Sequence, residues 1–202
     1  MDEISKDKKG KILELFLRNQ LKEAIEIIEE RLKKDENNAD LWIWKGFILY
    51  RQKRFDESIQ CYDKALEQDQ SNINVWLHKA RTFEVWRKFN EAIKCCDKAI
   101  QIQSNSLAAL NNKARILIHE KSYDEAISYY EKIIAICKNS DAWISKAGLE
   151  YKMGNLQKAI DSMKAYLSIV AKESIAKESW ESNNIKRYEQ MLDKWEKELK
   201  NQ

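Results

Sequence analysis

The chain is 202 residues long, 44% hydrophobic and 34% charged, a balance that supports a sizeable core and argues against disorder. Its 36 basic and 33 acidic residues nearly cancel, to a net charge of +3, which argues against the concentrated basic face of a dedicated nucleic-acid binder. There is no proline and there are only four glycines, so a sandwich or barrel rich in Gly- and Pro-assisted turns gives way to helices joined by short loops.

The N-terminal stretch MDEISKDKKGKILELF is charged and lacks an apolar signal core. No apolar run approaches the ~20 residues of a membrane helix. A soluble cytoplasmic protein with no membrane partner is expected. The cysteines Cys61, Cys95, Cys96 and Cys137 form no C-x-x-C pair. Cys95 and Cys96 diverge by ~100° on a helix. Buried or half-buried free thiols are expected, with no metal and no cofactor.

Residues 5–38 form a degenerate first unit, without the aromatic that Trp42 supplies later. Its second half still places Leu21, Ala24, Ile25, Ile28 and Leu32 at helical spacing. Residues 39–72 read as two amphipathic helices joined by Gln52-Lys53-Arg54. Trp42, Gly46 and Leu49 share one stripe of the first helix, and Phe55 opens the second ahead of the acidic Asp56-Glu57. The same skeleton returns at 73–106, 107–139 and 140–173, so the starts at 39, 73, 107 and 140 keep a period near 34. A fixed period with two helices per unit is the mark of a helical solenoid. Gly46 recurs as Ala80, Ala114 and Ala147, and a small residue followed by Ile recurs at 24, 58, 92, 126 and 159. Both columns are small where two helices cross closely. Asn72 and Ser140 are candidate N-caps, and Gly154 a helix stop.

After Glu173 the period fails. Ile185, Tyr188, Leu192, Trp195 and Leu199 form an apolar stripe spaced 3, 4, 3, 4. Residues 174–202 are read first as a helix capping the last repeat. A seam for self-association and a segment docked in a groove are the alternatives. Ser182-Asn183-Asn184 is a candidate break before this helix.

The recurring Trp42/Gly46/Tyr62/Ala65, Trp76/Ala80/Ala92/Ala99, Ala114/Ala126/Tyr130 and Trp143/Ala147/Ala159 resemble the tetratricopeptide repeat, in a form common in prokaryotic chains. Two features depart from the family pattern. Lys45, Lys79, Lys113 and Lys146 replace a leucine, and Gln70, Ser104 and Lys138 stand where proline is expected. A lysine stem can lie on apolar surface with its ammonium in water. The resemblance implies an all-α, right-handed superhelical solenoid of about five antiparallel helix pairs plus a C-terminal capping helix, as a single array over residues 1–202.

The resemblance also implies a concave groove lined by the first helix of each pair. With Trp42 as the core-facing mark, residues roughly 80–160° away define the binding face. The candidates are Ile43, Phe47, Tyr50, Leu77, Arg81, Asn111, Arg115, His119, Ile144 and Tyr151. Aromatic and Arg side chains are the usual anchors of an interface. This face predicts a partner peptide or helix, apolar with some acidic character. Ile43 and Leu77 are equally explained as packing between neighbouring first helices. Family members that grip a C-terminal carboxylate of chaperones use spaced Lys, Asn and Arg. Here Arg81 and Asn112 match, but Asp141 and Ser145 stand in place of the last basic pair, so that activity is not expected. His78 and His119 occupy different phases of their repeats, and no nucleophile, phosphate loop or metal motif is present. The expectation is a non-catalytic interaction scaffold, with self-assembly through the C-terminal helix as the alternative.

Overall fold

A computed structural model describes residues 3–137, 140–173 and 180–201, with only the backbone described for 3–9, 140, 172–173 and 180–184. All its regular elements are α-helices. They run α1 (Glu3–Leu17), α2 (Leu21–Leu32), α3 (Ala39–Arg51), α4 (Phe55–Gln68), α5 (Ile73–Val85), α6 (Phe89–Ile102), α7 (Leu107–His119), α8 (Tyr123–Cys137), α9 (Ser140–Lys152), α10 (Leu156–Glu173) and α11 (Trp180–Lys200). The first helices of successive pairs begin at Ala39, Ile73, Leu107 and Ser140. The chain divides into two compact units, Met1–Ser104 and Asn105–Gln202.

Each pair is closed by the same turn. Asn19, Lys53, Arg87, Lys121 and Gly154 all take the left-handed conformation, with φ between 60° and 80°. The amide of the following residue donates to a carbonyl five residues back: Arg54 to Leu49 (2.9 Å), Lys88 to Phe83 (2.8 Å), Ser122 to Leu117 (2.9 Å). This is a Schellman C-cap, which satisfies carbonyls the helix end would leave free. Gly154 adopts this conformation without strain and Asn19 is the next most tolerant residue type, whereas Lys53, Arg87 and Lys121 are not tolerant of it. At the helix starts, Asn38, Asn72 and Ser106 accept side-chain hydrogen bonds from the amides of Leu41, Val75 and Ala109. The side chain of Ser140, the other expected cap, lies outside the described residues.

In the N-terminal unit the core joins Ile12, Leu15, Ala24, Ile28, Leu32, Leu41 and Ile48. A second cluster, Tyr62, Ala65, Leu66 and Val75, binds α3 and α4 to α5. Gly46 is required here. A Cβ at this position would lie 2.7 Å from Cε1 of the buried Tyr62 ring, and the Ser58 hydroxyl donates to the Gly46 carbonyl at 2.7 Å. Trp42 and Trp76 lie at the edge of the core, half-buried. Their indole N–H groups donate to the carbonyls of Glu36 (2.7 Å) and Gln70 (2.9 Å), fixing the loops that enter α3 and α5.

The lysine column does more than lie along apolar surface. Lys45 pairs with Glu29 at 2.8 Å, Lys79 with Asp63, and Lys146 with Glu131 at 2.7 Å, each acid standing on the second helix of the preceding pair. Each ammonium also sits over the Trp three residues earlier, at 5.6, 5.6 and 5.5 Å from the ring centre. With the lysine side chains only 14–20% exposed, these bridges are shielded more than ordinary surface pairs.

In the C-terminal unit, α11 packs on α9 and α10. Trp195 is 3% exposed and joins the cluster of Ala147, Leu156, Ala159, Ile160, Met163, Tyr166 and Val170, with Ile185, Tyr188, Leu192 and Leu199 half-buried around it. The C-terminal stripe is therefore turned onto its own chain. The break expected at Ser182-Asn183-Asn184 does not occur, because α11 starts at Trp180 and runs through these residues.

Candidate interaction surface

In the N-terminal unit a run of aromatic side chains crosses α1, α3, the start of α4 and the end of α5. Phe16 meets Phe47 at 5.2 Å and Trp44 at 6.1 Å. Phe47 meets Tyr50 at 6.4 Å and His78 at 5.8 Å. Tyr50 continues to Phe55 at 6.4 Å, and Phe55 to Trp86 at 6.0 Å. All of these rings are half-buried, so each keeps a face or edge in solvent while its neighbours hold it in place. The guanidinium of Arg51 lies over the Phe16 ring at 5.4 Å. The pKa of Arg81 is raised, chiefly by the neighbouring Tyr50 hydroxyl. His78 is pressed between Phe47 and Tyr62, and burial lowers its pKa.

The sequence candidates separate into distinct environments. Phe47, Tyr50 and Arg81 lie on this aromatic surface. Ile43 packs against the Tyr62–Val75 core and joins α3 to its neighbours. Leu77 is half-buried on α5. In the C-terminal unit, Asn111 is exposed and lines a cleft of about 260 Å³ with Leu107, Ala108, Asp141 and Ser145. Arg115 is half-buried and donates to Asn112 Oδ1 at 3.2 Å; His119 is exposed at the end of α7. Tyr151 is covered by α11. Ile144 packs against the Trp195 cluster, and Tyr151 stacks on Trp195 at 4.7 Å and donates its hydroxyl to Glu198 at 3.1 Å.

Sequence reasoning missed Phe16, Trp44 and Trp86. Trp44 and Trp86 hold positions filled by other residue types in the later repeats: His78, Asn112 and Ser145 for the first, Glu120 and Met153 for the second. That failure to recur was the available signal. Of the thiols, Cys61, Cys95 and Cys96 are buried, and Cys137 is exposed rather than buried or half-buried. Among the described residues no helix is long and apolar enough to cross a membrane.

Stacked helix pairs with a repeated closing turn and recurring small crossing residues define a helical-repeat protein. Residues 5–127 match the family described as Tetratricopeptide repeat protein 21 N-terminal ARM repeat, and the chain belongs to this family of tetratricopeptide-type repeats. No curated protein matches it by sequence. Among solved structures it is similar to MamA protein (TM-score 0.74, 18% identity, covering 89% of this chain and 98% of that one). It is similar to YrrB, a TPR protein with an unusual peptide-binding site (0.63, 18% identity, 78% and 82%). It is also similar to the first TPR of Spaghetti (RPAP3) bound to the HSP90 peptide SRMEEVD (0.52, 21% identity, 57% and 95%).

Proposed function

We propose that this chain is a non-catalytic protein–protein interaction module that binds a peptide or helix of a partner protein, apolar with some acidic character. The contact surface is the aromatic face of the N-terminal unit. One observation carries the reading: Phe16, Trp44, Phe47, Tyr50, Phe55 and Trp86 are linked ring to ring yet half-exposed on the same unit. Rigid aromatic groups held before a ligand arrives lose little freedom on binding and supply large contact areas. Two structurally similar proteins also engage peptides: YrrB has a peptide-binding site, and the RPAP3 repeat is bound to one.

The test is a selection of displayed 12-residue peptides on the full chain, followed by calorimetry with the enriched peptides. Saturable 1:1 binding that weakens at least about tenfold in Phe47→Ala is expected, the loss typical of one truncated anchor. Failure to enrich any peptide, or equal affinity for the Phe47→Ala protein, overturns the proposal.

A further inference from the structure

We infer that the cleft between α8, α9 and α10 of the C-terminal unit is a second binding site, which takes an arginine side chain of a partner protein onto Glu150. The cleft has a volume of about 380 Å³. Trp143, Lys146 and Glu150 line it from α9, Asp161 and Ser162 from α10, and Asp124 and Glu131 from α8. Glu150 and Ser162 are each 4% exposed. The Ser162 hydroxyl donates to Glu150 Oε2 at 2.6 Å. Oε1 has no such donor among the described residues: the Lys146 ammonium stands 3.8 Å away, beyond a hydrogen bond. Lys146 does not need this acid, because Glu131 already holds it at 2.7 Å.

Packing does not ask for a carboxylate at this place. The counterparts of Glu150 in the earlier repeats are Leu49, Phe83 and Leu117, and those of Ser162 are Cys61, Cys95 and Tyr129. Lys45 and Lys79 keep their bridges to the preceding pair with Leu49 and Phe83 in that place. Taking a carboxylate out of water is costly unless its oxygens are matched. One oxygen of Glu150 is matched within the fold, and the other is left for a ligand. Around it the charge is lopsided. Asp124, Glu131, Glu150 and Asp161 stand against Lys146 and Lys158, four carboxylates to two ammonium groups, in a chain whose net charge is +3. A cation is therefore the ligand this cleft draws in. Arginine suits it better than lysine, because a guanidinium is more weakly hydrated and leaves water more readily for a buried acid. Ile127, Trp143 and Ala165, half-buried along the cleft, give its aliphatic stem an apolar rest.

The probe is N-acetyl-L-argininamide, titrated into the isotope-labelled full chain and followed by two-dimensional NMR. Saturable shifts are expected for the Trp143 indole and for the Glu150 and Ser162 amides. N-acetyl-L-citrullinamide, the same shape without the charge, should bind at least about tenfold more weakly, the scale of one charge-assisted hydrogen bond. Glu150→Gln keeps an acceptor for Ser162 and should lose the difference between the two probes. Glu150→Leu, which restores the residue type of the earlier repeats, should lose it too, and it serves where the Gln variant fails to fold. Thermal unfolding checks that each variant keeps the fold. An unchanged preference for arginine over citrulline in a folded variant overturns the inference and assigns the attraction to the exposed acids alone. Shifts confined to residues of the N-terminal unit, or no saturable shift in the wild-type chain, also overturn it. Tighter binding of N-acetyl-L-lysinamide than of the arginine probe overturns the choice of arginine and leaves a cation site at Glu150.

Discussion

Replacing Lys53 by glycine is expected to stabilise the protein, although it removes a whole side chain. Lys53 closes the α3–α4 turn at φ 62°. For a residue with a Cβ, the left-handed conformation costs about 1–2 kcal/mol. Glycine avoids that cost but has more freedom to lose on folding, about 0.5–1 kcal/mol. The two hydrogen bonds of the turn, Lys53 amide to the Tyr50 carbonyl and Arg54 amide to the Leu49 carbonyl, are both backbone and survive the change. The Lys53 side chain is exposed, so little packing is lost. The net gain is about 0.5–1 kcal/mol, measured by urea unfolding followed by circular dichroism. Lys53→Ala is the control: alanine meets the same steric cost and should give no gain. Lys121, at φ 63° in the C-terminal unit, should respond in the same way. If Lys53→Gly is neutral or destabilising while Lys53→Ala behaves identically, the turn carries no such strain and the reasoning fails.

Gly46→Ala should destabilise despite a better helix former, because overpacking costs about 1–3 kcal/mol against a propensity gain of about 1; thermal unfolding checks the sign, which the 2.7 Å approach to Tyr62 sets. Trp195→Ala should cost about 3–5 kcal/mol in the C-terminal unit and increase the solvent exposure of Tyr151, read by urea unfolding and tyrosine fluorescence. With iodoacetamide at pH 8, Cys137 should be alkylated first and Cys61 and Cys95 only slowly. Burial pushes Cys61 to about 11 and Cys95 to about 12, from an ordinary 9.0. Because these folded-state values are raised, the stabilisation they represent is complete below pH 9. It is lost as pH rises from 9 towards 11–12, so alkaline unfolding should accompany exposure of these thiols.

The repeat was legible because packing imposes it. Gly46, Ala80, Ala114 and Ala147 stand where helices cross, and a larger residue would push the crossing apart. The acids that meet the lysines were also legible: Glu29, Asp63 and Glu131 keep the same 34-residue period, but solvated lysine stems explained the lysine column without them. The left-handed turns showed only at Gly154, since Lys53, Arg87 and Lys121 carry no sign of a conformation unfavourable to them. The covering of Tyr151 by Trp195 could not be read. Periodicity within α11 shows that one face is apolar, but not which remote surface it meets. Phe16 was passed over because the first repeat lacks the recurring aromatic, whereas its ring enters the surface from a different position.

The lysine bridges make the joints between pairs chemically unlike the pairs themselves. Within the α3–α4 pair, contact is apolar packing tied by the buried Ser58 hydroxyl, and neither responds much to dissolved ions. Between pairs, part of the contact is Coulombic, and its acidic partners Glu29, Asp63 and Glu131 are about half exposed. Concentrated salt should therefore soften the joints first and leave the hairpins whole. Pulled from its ends in high salt, each unit would yield link by link, with single hairpins as the last elements to give way.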